Sequence, residues 1–166
     1  NIVVGGVQMS NLISIDQAAN WFIKNTVEVT PKKLQKLLYY AYSWGLVFFN
    51  ENVNELNTKL FGEKFEAWVH GPVNRHVYAE YSSYKYNVIT QPATYEPEIN
   101  NEDVLDLLKQ VNEVYGKYNG NELERLTHQE APWINARGDA KPLDSITTPL
   151  EDKEMFIFYG NQLSGV

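Results

Sequence analysis

Five side chains have the types and placement for acid–base or metal chemistry: Glu63, Glu66, His70, His128 and Glu130. Carboxylates and imidazoles together bind divalent cations and exchange protons near neutral pH. Glu66 and His70 stand an even number of residues apart, so a strand would put them on one face, whereas His128 and Glu130 could join them only through the fold. That set defines one function class, a metal-dependent hydrolase using His70 and His128 with the nearby carboxylates. The structural reading stands beside it: a histidine next to a chain break hydrogen-bonds a turn carbonyl. Other chemistries are missing. There is no Gly-x-x-x-x-Gly-Lys-Ser/Thr loop, no Gly-x-Gly-x-x-Gly after a strand, no His-Glu-x-x-His among the three histidines and no Gly-x-Ser-x-Gly elbow. With no cysteine, disulfides, thiolate zinc sites, iron–sulfur clusters and cysteine nucleophiles are excluded, and a reducing cytoplasm is the expected compartment.

Binding surfaces are a second possibility. Tyr39, Tyr40, Tyr42 and Trp44 fall on one stretch and could stack nucleic-acid bases, but a base-stacking platform needs a basic groove and only Lys32, Lys33 and Lys36 are near in sequence. Core packing explains the aromatics better. The three lysines occupy the first two turns of an expected helix, where the helix dipole disfavours cations, which marks them either as a used surface or as a solubilising first turn. The net charge of −7 supplies no global field for a polyanion, so no direct nucleic-acid partner is expected. Residues 1 to 92 hold eight basic and seven acidic side chains, and residues 93 to 166 hold six and fourteen. The acidic second half could steer a basic partner or simply solvate helix faces.

These residues must be positioned by the elements that the patterning predicts. A chain of 166 residues, 43% hydrophobic, fits one domain with its own core, expected over residues 9–166, with residues 1–8 an added or alternative-start tail before Met9-Ser-Asn-Leu. Ser14 caps a helix ending near Asn25, with Ile15, Ala18, Ala19, Phe22 and Ile23 on its inner stripe. Thr30 and Pro31 open a second helix that is apolar or aromatic nearly all round and therefore central. Residues 60–69 alternate about Gly62 and predict a short hairpin; Gly71-Pro72 is then expected to start a helix through Val73, Val77, Tyr78 and Tyr81. Residues 84–99 read as an irregular connection. Asn101 opens an amphipathic helix with Val104, Leu105, Leu107, Leu108, Val111, Val114 and Tyr115 inside and Glu102, Asp103 and Asp106 outside. Asn121 and Ala131-Pro132 predict two short helices, and Thr148-Pro149 a closing one. The fold class is mainly α, a compact helical domain around a central buried helix with a small antiparallel β element. No run approaches the roughly 20 apolar residues of a membrane helix.

Four segments in order, Ala18–Ile23, Lys33–Ala41, Phe65–Val73 with Val77-Tyr78, and Leu126–Trp133, resemble the SocA-like antitoxin family, the Panacea domain, which includes phage-associated GepA-type proteins. The residues that carry the likeness are Gln35, Lys36, Tyr39, Glu66, Trp68, Gly71, Pro72, Tyr78, Thr127, His128, Glu130 and Trp133, with His70 where the family more often has Tyr. The resemblance implies a non-enzymatic, mainly helical domain without cofactor. Its members neutralise toxins by binding them or by delivering them to a ClpXP-type protease. Most of these residues are read as scaffold: Gln35 and Tyr39, one turn apart, as a shared polar contact, and Thr127, His128 and Glu130 as hydrogen-bonded ties to the Gly71-Pro72 corner. Partner contacts are expected on the Lys32, Lys33, Lys36 edge and on the acidic helix with Glu102, Asp103 and Asp106.

Overall fold

The computed structural model describes residues 2–4 and 7–163, with side chains from Ser10 onward. Residues 1, 5 and 6 of the expected tail lie outside the described residues, and its boundary at residue 8 falls within a strand. β1 (Ile2–Val4) pairs antiparallel with β2 (Val7–Asn11), which pairs in parallel with the short β3 (Thr58–Lys59).

α1 (Ile15–Asn25) begins where the Ser14 side chain accepts a hydrogen bond from the Gln17 amide and the Gln17 side chain accepts one from the Ser14 amide, a complete capping box. α2 (Pro31–Phe49) starts from the Thr30 cap with proline at its first position. All residues from Lys33 to Ser43 on α2 are buried, as are Gly45 and Leu46. Helices α1, α3 (Arg75–Tyr81), α4 (Glu102–Tyr115), α5 (Gly120–Thr127) and α7 (Asp152–Leu163) and strands β3 and β5 (Gly71–Val73) all contact it. This is why its sequence lacks a polar face: a helix enclosed on every side has no water to turn one towards. Each fully buried leucine on it contributes roughly 2 kcal/mol relative to exposure. Tyr39, Tyr40 and Tyr42 are core residues, with Tyr40 stacked on Tyr115 at 3.9 Å between ring centroids.

The β hairpin forms later than the alternation about Gly62 predicts: β4 (Glu66–Trp68) pairs with β5 (Gly71–Val73) around the Val69-His70 turn. Pro72 therefore sits in a strand and does not open a helix. The helix start falls to Asn74, whose side chain accepts from the Val77 amide and caps α3 (Arg75–Tyr81), followed by a 3-10 turn at Ser82–Tyr84. A second correction concerns Thr148-Pro149. The Ala67 amide donates to Thr148, the Leu150 amide donates to Phe65, and Glu66 and Pro149 form a bridge, so this segment lines the free edge of β4. α7 (Asp152–Leu163) starts only after it.

α4 (Glu102–Tyr115) is capped by Asn101 as the pattern predicts, but Val114 is half exposed because the inner stripe runs through Val104, Leu107, Leu108, Val111 and Tyr115. α5 (Gly120–Thr127) is capped two residues earlier than the expected Asn121, since Asn119 and Glu122 form a second capping box. α6 (Ala131–Arg137) follows directly. The result is mainly α with minor β, and no helix among the described residues is long and apolar enough to cross a membrane.

Candidate functional site

Gln35, on the inner part of α2, fixes the hairpin exit. Its Oε1 accepts from the Asn74 amide at 2.8 Å and its Nε2 donates to the Asn74 carbonyl at 3.0 Å, so one side-chain amide satisfies both backbone groups of the α3 cap. The expected contact between Gln35 and Tyr39 is therefore not made; the Tyr39 hydroxyl lies 3.1 Å from that of Tyr159. One residue further along α2, Lys36 is 1% exposed and its Nζ donates to the Pro72 carbonyl at 3.0 Å. Removal from water pushes this amine down to about 7. Gly71 makes the room: its φ is +104°, and a Cβ there would lie 2.7 Å from Lys36 Cε and 3.0 Å from Thr127 Oγ1.

Above this floor a groove of about 720 Å³ opens between the start of α2, the hairpin turn, α3 and residues Ser145–Thr147. Lys32, Lys36, Arg75 and Lys85 line it together with His70, Trp68, Tyr78, Tyr81 and Tyr86, and the lining contains no Asp or Glu. Two carboxylates just behind the wall hold the cations in place. Glu124 takes Lys32 Nζ at 2.7 Å and His70 Nδ1 at 3.1 Å; Glu66 takes Arg75 Nε at 2.8 Å and Trp68 Nε1 at 2.8 Å. The Glu124 carboxyl is held below its ordinary range by these cationic partners, which outweigh its burial. Trp68 is packed against Tyr78 and accepts at its carbonyl from Trp133 Nε1 at 2.9 Å. Tyr86 is 92% exposed at the groove rim.

Behind the groove lies a polar knot in the core. Glu130 Oε1 accepts from the hydroxyls of Tyr40 and Tyr159, both at 2.8 Å. Burial pushes the Glu130 carboxyl up to about 7 against the pull of the two hydroxyls. His128 stacks on Trp133 at 3.9 Å, and burial lowers its imidazole. Thr127 donates to the Glu124 carbonyl. Of the three residues expected to tie the hairpin, His128 hydrogen-bonds the Val69 backbone in its turn, while Thr127 and Glu130 bond elsewhere; Trp133 and Arg137, whose Nη1 donates to Ala67, add further ties.

The lysine edge is not one exposed surface: Lys33 and Lys36 are buried, and Lys36 meets the groove only at its floor. Lys33 Nζ donates to the carbonyls of Val27 and Gly116, the latter at the C-terminal end of α4, where the helix dipole welcomes a cation. Burial lowers its amine also. Lys32 is half-buried at the groove mouth. The unfavourable lysines at the start of α2 are therefore each answered by another element. Glu102, Asp103 and Asp106 are exposed on α4 as expected. The carboxylate–histidine set is not assembled: His70 is bound to Glu124, Glu66 to Arg75, and Glu130 to two tyrosines. The groove residues Arg75, Lys85, Tyr81 and Tyr86 escape sequence reasoning because they come from a short helix and a turn with no spacing signature.

The protein is a mainly helical domain with minor β that carries a cationic and aromatic groove beside its buried central helix. The family model for the antitoxin SocA-like, Panacea domain matches residues 34–134, which contain α2 from Leu34, the hairpin, α3, α4, α5 and the start of α6. The chain belongs to this antitoxin-like family. No curated protein and no solved structure matches it.

Proposed function

We propose that this protein is a non-enzymatic antitoxin of phage or prophage origin that neutralises a cognate toxin by direct binding. The groove would take an acidic segment of that toxin with an aromatic or apolar side chain. The observation that carries the placement is a groove lined by four basic side chains and no acidic one, on a chain of net charge −7. Charge complementarity of that kind selects a partner and speeds encounter, and exposed tyrosines beside it supply contact area at low entropic cost. The acidic α4 face, Glu102, Asp103 and Asp106, is a second contact for a basic part of the same partner. A complex of ordinary size buries about 800 Å² on each side, which either face can contribute to.

The test is co-expression with the neighbouring gene, scored for growth and then for co-purification. Growth arrest by the neighbour alone, relieved by this chain in a stable complex, is expected. Lys85→Glu combined with Tyr86→Ala, both at exposed positions, should weaken that complex by about 30-fold if they form a hot spot; unchanged affinity removes the groove placement. A charge-reversed α4 face tests the second contact in the same assay. Delivery to a ClpXP-type protease is a further step of the same proposed role, and it predicts a shortened toxin half-life that recovers when the protease is deleted.

A further inference from the structure

The third histidine has no part in the groove. His76 and Glu80 stand one turn apart on α3 and face Asp16 in the first turn of α1. His76 Nε2 is 3.0 and 3.1 Å from the two Asp16 oxygens and 3.4 Å from Glu80 Oε1. The three side chains offer ligand atoms that all lie within 4.8 Å of one another, and among the described residues they are the one such group. A cation at about 2.0–2.2 Å from nitrogen and oxygen ligands holds neighbouring donors about 3.0–3.4 Å apart, which is the spacing from His76 to both carboxylates.

Hydrogen bonds hold only part of the cluster. Asp16 is within hydrogen-bond distance of His76 Nε2 and shares a hydrogen bond with Glu80, while the buried Glu80 Oε1 keeps no hydrogen-bond donor of its own. One turn along the same face of α1, Asn20 Oδ1 is a second buried acceptor without a donor. Glu63 and Glu96 add negative charge around the group, against one half-exposed imidazole. Orphaned oxygen acceptors in a negatively charged pocket are a demand for a cation, and a neutral imidazole with its proton on Nδ1 would turn the Nε2 lone pair to the same point.

We propose that Asp16, His76 and Glu80 bind one divalent transition-metal cation, zinc first among them, which clamps α1 to α3. One nitrogen and two carboxylate donors without sulfur suit Zn²⁺, Co²⁺ or Mn²⁺, whereas Ca²⁺ and Mg²⁺ take oxygen ligands throughout. The site is separate from the antitoxin reading and stands or falls without it.

The experiment uses the full chain, freed of metal by a chelator and dialysed, titrated with Zn²⁺ by calorimetry and with Co²⁺ by visible absorption. One equivalent is expected, with a Co²⁺ d–d band, and a Tm rise of roughly 5–10 °C when Zn²⁺ exceeds its Kd a hundredfold. His76→Ala and Asp16→Asn should each weaken binding at least tenfold and remove the d–d band, while His70→Ala leaves both unchanged. His76→Gln, close in size to the original, serves as a second variant should His76→Ala fold poorly. Failure of Zn²⁺ and Co²⁺ to bind stoichiometrically, or binding that survives loss of His76 or disappears with His70, overturns the assignment.

Discussion

Lys36→Met should make this protein more stable at neutral pH. The Lys36 amine is 1% exposed, donates to the Pro72 carbonyl at 3.0 Å and is pushed down to about 7 from an ordinary 10.5 by burial. The sign follows from proton counting. Between about pH 7 and 10.5 the unfolded chain holds the proton and the folded chain does not, so stability rises with pH across that window and the full cost of the buried ammonium is borne below it. A separation of about 3.5 units corresponds to roughly 5 kcal/mol at acid pH, about 4 at pH 7 and about 2 at pH 9. Methionine fills similar volume without charge, and it leaves the Pro72 carbonyl without its donor at a cost of about 1–2 kcal/mol. The net expectation at pH 7 is a gain of about 2–3 kcal/mol, or roughly 5–10 °C in Tm, shrinking towards zero by pH 9.

Urea denaturation of both proteins at pH 6, 7, 8 and 9, followed by circular dichroism, measures this directly. A variant less stable than the parent at pH 6, or a difference that does not change with pH, would refute the reasoning, because it would show that the amine is not desolvated as its surroundings require. The companion measurement is toxin rescue. A more stable protein that no longer rescues growth would mean that Lys36 is kept for the partner, at the expense of the fold.

Two further outcomes follow from the same corner and from the polar knot behind it. Gly71→Ala should cost about 2–4 kcal/mol, since φ is +104° and the new Cβ meets Lys36 Cε at 2.7 Å and Thr127 Oγ1 at 3.0 Å; in a Lys36→Ala background part of that cost should vanish, so a double-mutant cycle by urea melts must show coupling of about 1 kcal/mol or more. Glu130, pushed up to about 7 from 4.5, holds its proton longer in the folded state, so its contribution is fully present below about pH 4.5 and about 3 kcal/mol of it is lost as pH rises past 7. Glu130→Gln keeps an acceptor for Tyr40 and Tyr159 and should flatten the stability profile between pH 5 and 7; a variant with the parent's slope would show that the carboxyl does not titrate in that range.

The elements set by local rules were legible in the sequence. Ser14, Thr30 and Asn101 cap their helices as read, and the all-round apolar α2 is the buried centre. Errors came where a tertiary partner competed for a local signal. Thr148-Pro149 has a good helix-start pattern, yet the edge of β4 takes its backbone. Gly71-Pro72 has another, yet Gln35 across the core fixes Asn74 as the cap. Lys33 and Lys36 look like a soluble first turn because charge normally means surface; only the carbonyls of Gly116 and Pro72, 83 and 36 residues away, turn them inward. The groove was the least legible part, since Arg75, Lys85 and Tyr86 reach it from separate short pieces.

Lys36 and Gly71 explain each other, and that bears on function. A buried amine is costly, and so is a strand position at φ +104°. A fold free to choose would place methionine at 36 and remove the first cost. At residue 71 the clash with Lys36 would ease, while φ +104° and the Thr127 Oγ1 contact would remain. Both departures persist 35 residues apart, and the atoms that meet are the Lys36 methylene and the space left by the missing Cβ. Locally unfavourable choices that only make sense together mark the places where a chain is serving something other than its own stability. Here they converge on the floor of the cationic groove, where, on the binding mode proposed above, an acidic group of the partner would supply the counter-charge that the nearly dry amine lacks.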